Sequence, residues 1–218
     1  MGPITCEEEL EQRALEIGVL PFFRCGVQGL SMEEMTPPSF WFVGGVEGPW
    51  EWRMPVATRK RAIYGKFFHG KAGFIAASLM PLFCNLRRDG YDFDTLYEMG
   101  MAREDDRRIV TALSQYGPMR TRDVKRACGM TDPGSGFDSA VTRLMMRGYV
   151  AVEGFEYALD KRGRPYGWGL ARYALLDQML GEDVTRSRYG EDKEESLEHL
   201  ISSIHGFDKG PLRKLLKS

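Results

Sequence analysis

The sequence predicts a mainly α protein with a small β component (α+β), and two observations carry that expectation. Between about 103 and 176, three segments with helical apolar spacing precede two strand-like segments that flank a Gly/Pro-rich tip. Elsewhere helix-capping signals recur, whereas alternating strand patterns are short. Hydrophobic residues at 43% and aromatics at 11% suffice for a packed interior, which excludes wholesale disorder.

Thr5-Cys6-Glu7-Glu8 reads as a capping box that opens a helix from about Cys6 to Ile17, with Leu10, Ala14 and Ile17 inward. Ser31-Met32-Glu33-Glu34 repeats the signal, and Pro37-Pro38 stops that helix within two turns. Residues 40–52, with Gly44-Gly45 and Gly48-Pro49 among aromatics, predict loops and short strands rather than a helix. Arg61 to Phe68 and Lys71 to Ala76 read as two short extended pieces around His69-Gly70. Ser78 caps a helix through Arg88, with Pro81 in its first turn, and a short helix follows from Phe93 to Met99.

From Arg103 to Tyr116, Ile109, Val110, Ala112, Leu113 and Tyr116 share one helical face, and Gly117-Pro118 ends it. Thr121 introduces a second helix, Arg122 to Ala127. Asp132-Pro133-Gly134-Ser135-Gly136 is a turn cluster, and Phe137 to Arg147 forms a third helix. Tyr149 to Leu159 and Trp168 to Leu175 are strands around the tip 160–167. The order is that of a winged helix-turn-helix. Helices from Lys193 to Ile204 and from Pro211 close the chain. Three parts result: a helical, aromatic-rich 1–100, a winged-helix 101–177 and a helical extension 178–218. A tandem arrangement, with a divergent winged helix in 1–100, is the alternative.

Net charge is −1, but it is unevenly spread. Residues 1–52 carry −7, residues 53–88 carry +8 with no acidic residue, and residues 117–175 carry +4. Local fields of this kind attract polyanions even when the total is neutral, although the same segments can also pair with each other. The four cysteines and three histidines lack metal-ligand spacing, so neither a metal nor another cofactor is expected. Absence of a long apolar run or signal pattern predicts a cytoplasmic protein that does not engage membranes.

In a helix-turn-helix module the last helix enters the major groove while the wing reaches phosphates or the minor groove. Double-stranded DNA is therefore the expected partner. The wing tip offers Lys161, Arg162 and Arg164, the reading helix Ser139, Thr142 and Arg143, and the helix before it Arg122 and Lys125. Lys66, Lys71, Arg87 and Arg88 are candidates for a phosphate-facing groove. Trp50 and Trp52 are base-stacking candidates, with burial in the core as the plainer reading. A wing of this kind also serves transcriptional or protein-interaction modules, so a protein partner stays open.

Ala62-Ile63-Tyr64-Gly65-Lys66-Phe67-Phe68-His69-Gly70-Lys71-Ala72-Gly73-Phe74-Ile75, then Leu79-Met80-Pro81-Leu82-Phe83-Cys84-Asn85-Leu86-Arg87-Arg88, then the winged helix, resemble in order and spacing the bacterial winged-helix DNA glycosylases of the AlkZ/YcaQ group. The chain looks most like the short AlkZ-related branch. The resemblance implies DNA repair of alkylated or crosslinked bases. It also implies a Gln–apolar–Gln or Gln–apolar–Asp motif that positions water at the sugar carbon. Val27-Gln28-Gly29-Leu30-Ser31 is the local match, with Leu30 at the second polar position. Gln28, helped by Ser31 or Glu33, is the catalytic candidate, Glu34 being taken up by its capping box. Catalysis as an N-glycosylase is thus an alternative to DNA binding alone.

Overall fold

The structure, a computed structural model, describes residues 2–42 and 46–217, apart from the side chain of Trp168. The expected Gly44-Gly45 turn lies outside the described residues. Helix α1 (Glu7–Ile17) buries Leu10, Ala14 and Ile17. Its start is held one residue later than the Thr5–Glu8 box implies: the Thr5 amide and hydroxyl donate to Glu9 at 2.6 and 2.7 Å. Strand β1 (Val19–Pro21) follows at once, wholly buried. In α2 (Met32–Met35) the second capping box forms: Ser31 Oγ accepts the Glu34 amide at 3.2 Å and donates to its carboxylate at 2.6 Å.

Residues 49–52 depart from the expected loop. They begin helix α3 (Pro49–Arg59), because Pro49 suits the first helical position and Glu51 accepts the Gly48 amide at 3.0 Å. Next come β2 (Ala62–Phe68) and β3 (Lys71–Ala76), which pair antiparallel around His69-Gly70, so the two extended pieces are a hairpin. Strand β3 also pairs with β1. At Gly73 a β-carbon would lie 2.7 Å from the Leu20 oxygen and from the Pro21 α-carbon, so this close approach requires glycine. Helix α4 (Met80–Arg88) starts after a 3-10 turn, without a side-chain cap from Ser78. In α5 (Phe93–Glu98) the Asp92 carboxylate takes the capping role.

Helix α6 (Glu104–Tyr116), strand β4 (Met119–Arg120), helices α7 (Thr121–Ala127) and α8 (Phe137–Met146), and strands β5 (Val150–Leu159) and β6 (Pro165–Leu175) complete the central segment. Its two-residue strand β4, absent from the sequence reading, pairs with β6 at Met119–Tyr173 and Arg120–Arg172. Short helices α9 (Leu176–Leu180) and α10 (Glu182–Thr185) lead to α11 (Lys193–Ser203) and α12 (Lys209–Lys217), which pack together and bury leucines such as Leu197 and Leu216.

All the strands join one antiparallel sheet in the order β1-β3-β2-β5-β6-β4. The molecule is therefore mixed α/β, with more sheet than the small hairpin expected. Its halves meet where Tyr64 of β2 pairs with Val152 of β5, and Phe74 and Phe155 flank the Tyr64 ring. Strand pairing thus passes across the 100/101 boundary, and α4 packs on α11 across the 177/178 one.

Candidate functional site

The tip of the β5–β6 hairpin is exposed from Lys161 to Gly167. Asp160 organises it by accepting the Arg162 and Arg164 amides at 2.8 and 2.9 Å and the Arg164 guanidinium at 3.0 Å. Those contacts, from Arg164 foremost, hold the Asp160 carboxyl below its ordinary range. Arg164 is thus partly neutralised, while Lys161 and Arg162 have no acidic partner among the described residues.

Behind the tip, α7 and the β5–β6 hairpin enclose a cleft of about 580 Å³ lined by Arg120, Thr121, Arg122, Lys125, Leu159 and Tyr166. Leu159 is 62% exposed and Tyr166 58%, an apolar floor beneath cations that the sequence reading did not single out. The signal was available, since apolar residues next to a charged turn break strand alternation. Lys125 also lines a second cleft, of about 540 Å³, formed by the 131–136 loop and the start of α8 with Asp138 and Ser139. Gly136 at this helix start has no capping side chain, which leaves first-turn amides available to an anion.

The outer face of α8 is less open than its sequence implies. Lys66 Nζ donates to Thr142 Oγ1 at 3.2 Å, and a β-carbon on Gly70 would touch the Thr142 methyl at 3.4 Å, so the β2–β3 turn covers this position. Arg143 binds buried Asp106 at 2.7 Å, and Arg147 donates to the Met101 carbonyl at 2.8 Å. Asp138 and Ser139 remain exposed.

The basic 53–88 stretch is divided in the same way. Arg59, Lys60 and Arg61 are ion-paired with Glu7, Glu153 and Glu11. Lys71 is exposed, its ammonium donating to the Arg24 carbonyl at 3.0 Å. Arg87 is largely covered over the Phe83 ring, and burial brings its guanidinium down to about 10. Arg88 is 1% exposed, donating to the Gly148 carbonyl at 2.6 and 3.1 Å and to Asp177 at 2.6 Å. It belongs to the interior, because the end of α8 and the start of α9 supply acceptors that only a long cationic side chain reaches.

The two tryptophans separate. Trp52 is 4% exposed and packs on Phe40, so it is core. Trp50 is half-buried in a cluster with Phe22, Phe23, Trp41 and Phe42, and Arg53 lies 4.3 Å over its ring. Trp41 and Phe42 were missed as candidates, since sequence adjacency alone does not tell which rings share a surface.

The N-terminal trio runs from the turn at Gln28 through the Ser31 cap into α2 at Glu33. Gln28 is exposed on a turn, Ser31 is fully buried in its cap with Glu34, and Glu33 accepts the Arg24 amide at 3.0 Å. Leu30 is fully buried in the core, which accounts for an apolar residue at that place in the motif. Among the described residues no cluster of His, Cys, Asp and Glu is arranged to hold a metal ion, and no helix is long and apolar enough to cross a membrane.

Neither the curated proteins nor the solved structures include a match to this chain. A model of the family described as AlkZ related matches residues 4–217. With nearly the whole length matched, the chain belongs to the AlkZ-related family.

Proposed function

We propose that this protein is a winged-helix DNA-binding protein, the α6–β4–α7–α8–β5–β6 segment being its winged-helix domain and duplex DNA its partner. The observation that carries the reading is the cleft between α7 and the β5–β6 hairpin, lined by Arg122 and Lys125, together with the exposed Lys161 and Arg162 at the tip of that hairpin. Such cations take up phosphates, and the uncapped start of α8 adds amides in the neighbouring cleft that shares Lys125. Base contact then falls to Ser139 at the first turn of α8, the part of a reading helix that meets base edges. Membership of the AlkZ-related family supports a role in DNA repair.

Binding to a short duplex across a salt series tests this. Affinity is expected to fall steeply with salt, and Lys161→Ala combined with Arg162→Ala to lower the slope of log K against log salt by about 1 per lost phosphate contact. Flat, weak binding at every salt concentration sinks the proposal. The same incubations on alkylated duplex, assayed for abasic sites, test whether Gln28 supports N-glycosylase chemistry. Product lost in Gln28→Ala is the positive result.

A further inference from the structure

Three buried N–H donors without a partner among the described residues gather in the aromatic cluster: Trp41 Nε1, Trp50 Nε1 and Arg53 Nε. Buried donors are ordinarily paired, because an unmade hydrogen bond leaves the loss of hydration uncompensated. Here the orphaned groups are neighbours. The Trp41 and Trp50 rings are perpendicular with centroids 6.5 Å apart, and the Arg53 guanidinium lies over Trp50 and Phe155 at 4.3 and 4.7 Å. At the outer edge Phe42 is 73% exposed, with its ring 6.0 Å from Trp41 and 6.1 Å from Trp50. Its φ of 57° is in the left-handed region, which a residue bearing a bulky side chain seldom adopts. An exposed ring on a strained backbone beside buried, unsatisfied donors makes this cluster a candidate site for a planar ligand.

We propose that this cluster receives an unpaired nucleobase, an inference that rests on the nucleic-acid reading above. A base entering beside Phe42 stacks on indole and phenyl faces, an interaction open to any base. Selectivity comes from the hydrogen bonds. The three orphaned groups donate and none accepts, so the matching edges are those presenting acceptors only. On the major-groove edge guanine offers N7 and O6 and thymine O4 with no donor, whereas the amino groups of adenine and cytosine on that edge set a donor against donors.

The test compares a fully paired duplex with the same duplex carrying one bulged guanine, thymine, adenine or cytosine, read by tryptophan emission of the whole protein. Bulged guanine or thymine is expected to bind about tenfold tighter than the paired duplex and to quench emission, as one stacked base contributes. Trp50→Phe removes a donor and keeps a ring, while Phe42→Ala removes stacking surface from an exposed position. Each is expected to bring the bulged-duplex affinity down toward the paired-duplex value. Equal affinity for paired and bulged duplexes, with emission unmoved, overturns the inference and leaves duplex binding standing. Equal preference for all four bulged bases also overturns it. Absence of binding to either duplex overturns both readings together.

Discussion

At the scale of single residues, the same side-chain type has opposite assignments according to what surrounds it. Lys161 and Arg162 face water and are available to a polyanion, whereas Arg88, read from sequence as part of the same basic surface, is inside. Its guanidinium ties α4 to the Gly148 carbonyl and to Asp177, and stacks 4.7 Å over the Tyr149 ring. Removing one partner of a buried pair leaves the other uncompensated. Arg88→Met is therefore expected to destabilise the fold by about 3 kcal/mol, read as a lower urea midpoint at unchanged slope. A midpoint within error of the parent would show that Asp177, 23% exposed at its side chain, finds water instead. The separation of Trp50 from Trp52 has the same origin. Two positions apart on α3, one meets Phe22 and Arg53 and the other meets Phe40.

Elements show where local signals suffice. The apolar spacing of α6 and α8, the Ser31–Glu34 box and the glycines that end helices are all local, and each yields an element within one or two residues of its expected bounds. Helix α3 escaped because Gly, Pro and Trp at its start are loop signals on composition, while Pro49 and Glu51 act there as first-turn residues. Strand β4 escaped because two residues carry no period. The β1–β3 contact supplies a direct check on sheet packing. Gly73→Ala puts a β-carbon 2.6 Å from the Phe68 ring and 2.7 Å from the backbone of Leu20 and Pro21. Backbone cannot yield as a side-chain tip does, so a loss of about 2 kcal/mol is expected, measurable by thermal or urea unfolding. Neutral behaviour would mean that β1 moves away freely.

For the whole molecule, the decisive feature is a sheet shared between segments that differ in charge and composition. Strand β2 pairs with β5, α8 packs on β2, and the C-terminal helices pack on α4. With these contacts across both segment boundaries, unfolding is expected to be one cooperative event: far-ultraviolet circular dichroism and tryptophan emission should give coincident urea transitions. Trp41, Trp50 and Trp52 report on the N-terminal part, so a separate, earlier emission change would reveal independent units instead.

The sequence by itself determined most of the longer helices, the hairpin with its cationic tip and the asymmetric charge, because caps, periodicity and turn chemistry act within a few residues of one another. Only the tertiary structure decided which of those cations stay free and which rings share a surface. The β2–β3 turn covers Thr142, Asp106 takes Arg143, and α7 joins the β5–β6 hairpin around a cleft floored by Leu159 and Tyr166. A helical period tells which face is apolar, but not which distant element will lie against the other faces. That depends on contacts between residues far apart in the chain, to which no local pattern is tied.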